Sequence, residues 1–140
     1  MRFLLITLLI LSGCGSAQQE PAFRPHYDEF KRRYNTDPYG VSIEFGVPDD
    51  NQAGQCHIWA RRITVKQSEW ESMEHYGKEL LVFHELGHCV WGLRHIEDEM
   101  EYRGERMPRS IMYPAAFGDL HYYKELRELY LKELPNNRGI

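Results

Sequence analysis

Neither sign of charge dominates this chain: 17 Lys and Arg stand against 21 Asp and Glu, interspersed along its length, for a formal net charge of −4. The lack of a basic excess excludes nucleic acid as the expected partner. No apolar run is long enough to cross a bilayer as a helix; the longest, Phe3 to Leu11, falls well short of the roughly 20 residues a span needs. Internal repeats and low-complexity stretches are absent. With 140 residues there is room for one modest core but not for a separate regulatory domain, and a monomer is expected. Cysteine is scarce, with three residues at positions 14, 56 and 89.

What is present is concentrated between His84 and His95, in the run His84-Glu85-Leu86-Gly87-His88-Cys89-Val90-Trp91-Gly92-Leu93-Arg94-His95. Residues four apart on a helix share a face, so His84 and His88 can turn imidazole nitrogens toward one metal ion with Glu85 beside them. Gly92 falls where a helix C-terminus favours a left-handed residue, and a reversal there brings His95 back toward the metal. A helix continued straight on would carry it about two turns past His88. Three histidine ligands leave a fourth position for water, the mark of a catalytic rather than a structural zinc site, and Glu85 is the candidate general base. Two other ligand sets stay open: a carboxylate from Glu97, Asp98, Glu99 or Glu101 in place of His95, or Cys89 as a ligand. His26, His57, His75 and His121 have no partner at ligand spacing.

The N-terminus differs in kind. Arg2, the apolar run and Leu11-Ser12-Gly13-Cys14 resemble a bacterial lipoprotein signal peptide, which implies cleavage before Cys14 and acylation of that cysteine. Residues 1–13 are then the signal, 14–25 a polar, proline-bearing lipidated tether, and 26–140 the folded domain. The expected location is the bacterial cell envelope, attached to the membrane by the N-terminal lipid, and the outer membrane where the host has one, since Gly15 rather than Asp follows Cys14. Cys56 and Cys89 remain as a disulfide pair or as two buried thiols.

Along the domain, Tyr27, Phe30 and Tyr34 set a first helix over 26–34, and the alternation from Val41 to Val47 predicts a strand. Cys56 to Val65 reads as two short strands bending around Arg61-Arg62. Ser68-Glu69-Trp70-Glu71 has capping-box spacing, and the pattern is helical from there to Trp91, as one helix or as two split at Gly77. Ile96 to Arg109 reads as a surface loop. Asp119 is a candidate N-cap for a closing amphipathic helix through Leu120, Tyr123, Leu126, Tyr130 and Leu134. The fold class is α+β: a short, mostly antiparallel or mixed sheet packed on the active-site helix, with a C-terminal helix.

The His84–His95 run together with Ser110-Ile111-Met112-Tyr113-Pro114 resembles the metzincin clan of zinc metalloproteases. The resemblance implies a zincin-like catalytic domain, zinc on His84, His88 and His95, Glu85 as base, and a methionine turn with Met112 beneath the metal. The turn with Tyr113 and Pro114 looks closest to matrixins, which implies a substrate-pocket wall at Tyr113, Pro114 and Phe117. Cys89-Val90-Trp91 puts three residues before Gly92 where the clan has two. That spacing, with a cysteine after the second histidine, is similar to a group of small bacterial metalloproteinase-like lipoproteins. The implied activity is hydrolysis of peptide bonds in a peptide or protein substrate by a lipid-anchored zinc endopeptidase. A metal-dependent amide hydrolase acting on a cell-wall component, and a non-catalytic zinc-binding interaction lipoprotein, are the competing readings. Substrate is expected to lie extended along an edge strand of the 56–65 region.

Overall fold

The computed structural model describes residues 19–115 and 120–137; the signal segment with Cys14, the wall residue Phe117 and the cap Asp119 lie outside the described residues. Helix α1 (Arg24–Tyr34) carries Pro25 in its first turn, where a missing N–H leaves no hydrogen bond unmade, and ends at Asn35 in the left-handed region. The folded part starts earlier than the tether expected over 14–25. Phe23 is fully buried, with its ring 4.7 Å from Phe45 and 4.6 Å from Trp70. The Gln19 side chain donates to the Val41 carbonyl at 2.6 Å and accepts from the Ile43 N–H at 2.9 Å. Gln19 and Phe23 therefore fasten this segment by tertiary burial, which its polar composition does not announce.

Three short strands form one mixed sheet, β1 (Ser42–Phe45), β2 (Gly54–His57) and β3 (Arg62–Val65), in the order β1-β3-β2. β1 runs parallel to β3 and β2 antiparallel to it, with Ile43 and Cys56 both opposite Ile63. β1 is shorter than the alternation suggested, and Val47 beyond it is exposed. The bend between β2 and β3 is a 3-10 turn at Ile58–Ala60 that closes on Arg61 at φ 49°.

Helix α2 (Gln67–Ser72) begins before Ser68 could cap it, and no side chain caps it; the capping box does not form. The break before helix α3 (His75–Trp91) falls at Met73 and Glu74, whose backbone is extended, and Gly77 lies inside α3. Where a loop was expected, Glu99–Tyr102 (β4) and Glu105–Pro108 (β5) pair as an antiparallel hairpin around Arg103 and Gly104, both at positive φ. Two positive-φ residues between the strands match the right-handed strand twist. Helix α4 (Leu120–Glu133) runs into a 3-10 turn at Leu134–Asn137.

The architecture is α+β, with α3 at its centre in contact with α1, α4, β2 and β3. Phe30 of α1 lies 5.2 Å from Phe83 and 5.0 Å from Trp91, and Phe83, Leu86, Ile63 and Met112 are fully buried together. Cys56 and Cys89 form a disulfide with their Cα atoms 5.7 Å apart, fastening β2 to α3. Closing a loop of this length contributes about 3–4 kcal/mol in the chain-entropy model. No helix among the described residues is long and apolar enough to cross a membrane.

Candidate metal centre

Helix α3 carries His84 and His88 on one face, and its end supplies the third histidine. Gly92 adopts φ 64°, its N–H bonds the His88 carbonyl at 3.0 Å and the Leu93 N–H bonds the Gly87 carbonyl at 3.2 Å. The chain thus reverses within one residue, and nothing lies within 4 Å of the Cβ position at Gly92, so backbone conformation rather than space selects glycine. The reversal is anchored at both ends: Leu93 is buried, and the Ile96 N–H donates to the Met112 carbonyl at 2.9 Å.

The result is a triangle of nitrogens. The Nε2 atoms of His84 and His88 are 3.1 Å apart, those of His88 and His95 3.1 Å, and those of His84 and His95 3.2 Å. The other ring nitrogens fix the protonation pattern. His84 Nδ1 lies 2.8 Å from the Ile111 carbonyl and His88 Nδ1 2.6 Å from the Leu93 carbonyl, and a carbonyl only accepts, so each Nδ1 carries the hydrogen and each Nε2 is bare. Bare lone pairs at this distance repel unless a cation lies among them. Ligands about 2.0–2.1 Å from a tetrahedral zinc would stand roughly 3.3 Å apart, close to the spacing observed. Burial pushes His84 down to about 4, helped by His88 and His95 and opposed by its carbonyl, and burial likewise lowers His88; both are kept in the neutral, ligating form. The residues present therefore fit a metal.

Among the described residues no carboxylate or cysteine joins this cluster. Glu99 is paired with Arg106 at 2.9 Å, Cys89 is in the disulfide, and His57 faces Thr64 Oγ1 at 3.2 Å. The ligand sets that used Cys89 or residues 97–101 are not the ones the fold assembles.

Met112 is fully buried beneath α3. A Cβ at Gly87 would meet its Sδ at 2.7 Å, so the close approach of the turn to the helix depends on that glycine. Ser110 Oγ accepts from the Met112 N–H at 3.0 Å and donates to Glu133 at 3.1 Å, tying the turn to α4. This turn presents the Ile111 carbonyl to His84, so the methionine segment orients a histidine through its backbone.

Glu85 is 5% exposed and its carboxylate accepts one hydrogen bond, from the Cys56 backbone N–H. Burial pushes it up to about 7, and that single bond only partly offsets the effect. The bond also identifies the free edge of the sheet. Because the Lys66 N–H bonds the Ala53 carbonyl, the alternation of an antiparallel ladder turns Gly54 and Cys56 away from β3. A Cβ at Gly54 would come within 3.0 Å of Leu81 and 3.3 Å of Glu85.

Glu85, the three histidines and this edge border one cavity of about 580 Å³. Tyr113 and Pro114 also line it, with the Tyr113 hydroxyl reaching Glu99 at 3.5 Å. The sequence reading missed its apolar floor, formed by Met73, Gly77, Leu80, Leu81 and Leu120. Helical periodicity held the signal for three of these, since Leu81, Leu80 and Gly77 stand three, four and seven residues before His84. No family model, no curated protein and no solved structure matches the chain.

Proposed function

We propose that the chain is a zinc-dependent peptidase of metzincin-like, zincin-type architecture, with His84, His88 and His95 as ligands and Glu85 as the general base. The observation that carries this reading is the triangle of converging Nε2 atoms, two of them left bare by Nδ1 positions locked on carbonyls. Zinc held there supplies a Lewis acid and acidifies water toward a pKa of about 7.

The chain's own residues do the rest. Glu85 has a carboxylate with only one hydrogen-bond donor, in a buried setting that holds its pKa near neutrality, so it can accept a proton from water and deliver it to the leaving amine. The free edge of β2 at Gly54 and Cys56 offers main-chain groups to an extended substrate, which favours a peptide. The apolar floor at Leu80, Leu81 and Leu120 would take one substrate side chain. The Cys14 motif supports a lipid-anchored protein of the cell envelope.

Purified protein, assayed for zinc and incubated with an unfolded protein substrate, tests the reading. Cleavage that a chelator abolishes and zinc restores is expected. A fully zinc-loaded protein that leaves every unfolded protein intact would overturn the peptidase assignment and leave the cell-wall amide and binding readings.

A further inference from the structure

At the end of the sheet where β1 and β3 begin and β2 finishes, the chain exposes large apolar side chains in two adjoining loops. Trp59 is 100% exposed, and Ile58 and Tyr39 are also exposed. The loops are joined by Arg61, whose guanidinium donates to the Tyr39 carbonyl at 2.9 Å and whose N–H closes on the Ile58 carbonyl at 3.2 Å. The register Ser42 opposite Arg62 puts both loops at one end of the molecule. Burying none of a tryptophan forgoes a large hydrophobic gain, so a surface partner is called for.

The same end receives the N-terminus. Gln19 is bonded to Val41 and Ile43, at the start of β1. Only five residue steps separate it from Cys14. Five steps of extended chain span at most about 17 Å, much less than the diameter of a domain. A lipid on Cys14 would keep this end close to the bilayer.

We infer that the Tyr39, Ile58 and Trp59 tip is a membrane-contact surface, which seats the domain on the bilayer beside its anchor. The inference rests on the lipid-anchor reading of Cys14. Tyrosine and tryptophan are the residues that settle at the headgroup level, and isoleucine adds an apolar wedge. The charges at the tip suit anionic lipid: Arg61 forms no ion pair among the described residues, Glu44 is paired with Arg62 at 3.5 Å and Asp37 with Lys31 at 3.3 Å. Ile58 also lines the cavity, so the contact borders the cleft and favours substrates presented at the membrane surface.

The test uses the full chain, processed in a bacterial host, with acylation of Cys14 read by mass, and reconstituted in phosphatidylethanolamine–phosphatidylglycerol vesicles with acyl chains brominated near the glycerol. Tryptophan emission of the parent minus that of Trp59→Phe isolates Trp59, since Trp70 is buried and Trp91 partly so. Quenching of the Trp59 component by about twofold or more is expected for a ring at the headgroup level. Acylated protein whose Trp59 is unquenched would overturn the contact while leaving the anchor in place, whether the tip stands in water or is covered by protein. A mass showing unmodified Cys14 would overturn the anchor, and the contact with it.

Discussion

Helix α3 buries two glutamates six positions apart, and their environments are opposite. Glu79 is 2% exposed and fully partnered: Arg127 Nε and Nη2 each reach it at 2.7 Å and the Tyr123 hydroxyl at 2.9 Å. Burial raises its pKa, but those partners outweigh it and hold the carboxyl below its ordinary value. Glu85 is nearly as deeply buried, has one backbone donor and no cation beside it among the described residues, and is pushed up to about 7. Burial alone does not set the pKa of a carboxyl group. What separates the two is whether the fold supplies a counter-charge, and around Glu85 it supplies instead a cavity and three converging imidazole nitrogens.

The strongest way to break the comparison is to remove a histidine of the proposed metal site on the Glu85 side. His88→Ala, or His95→Ala, is expected to weaken zinc binding by at least about 100-fold, more than loss of an outer-shell partner does, with the secondary structure intact by circular dichroism. Zinc competition titration checks it. On the Glu79 side the expected loss is of stability instead. Glu79→Gln removes the buried partner of Arg127, which keeps the exposed Glu128 at 2.8 Å; since Arg127 is also about a quarter exposed, the cost falls below that of a fully buried pair, at about 2 kcal/mol by urea unfolding. Zinc affinity should hold at temperatures where the variant stays folded.

A pH series sharpens the same contrast. His26, near Glu79, is lowered to about 4, by burial first and then by His75, with Glu79 opposing and Lys78 assisting. A histidine held neutral in the fold takes its proton first in the unfolded chain, so stability is full above pH 6.5 and falls as pH drops toward about 4. Wild type should lose about 1.5 kcal/mol more than His26→Phe between pH 6.5 and about pH 5. The smallest effect expected is Gly87→Ala, about 1–2 kcal/mol, because Met112 Sδ must give way to the new methyl group.

Local signals made part of this legible in the sequence. The four-residue spacing of His84 and His88 and the glycine at 92 are properties of single helical turns, and the structure reproduces both. The disulfide was open because it depends on β2 lying along α3, a tertiary fact. The hairpin over 99–108 was hidden by its charge and by an Arg-Gly turn in place of the usual Asn-Gly. Ser68 misled because a favourable cap spacing is irrelevant once the chain is helical one residue earlier. Phe23 and Gln19, inside a stretch that reads as tether, owe their order to contacts with residues 20 or more positions away.

The most direct measurement is Glu85→Gln compared with the parent for bound zinc, unfolding free energy and cleavage of an unfolded protein. One zinc per chain in both, stability at or above the parent's because a buried carboxyl with a raised pKa costs the fold stability near neutral pH, and cleavage reduced by about 100-fold or more are the expected results. A Glu85→Gln protein that cleaves as well as the parent, or that unfolds as readily as Glu79→Gln, would contradict the assignment of Glu85 as the base.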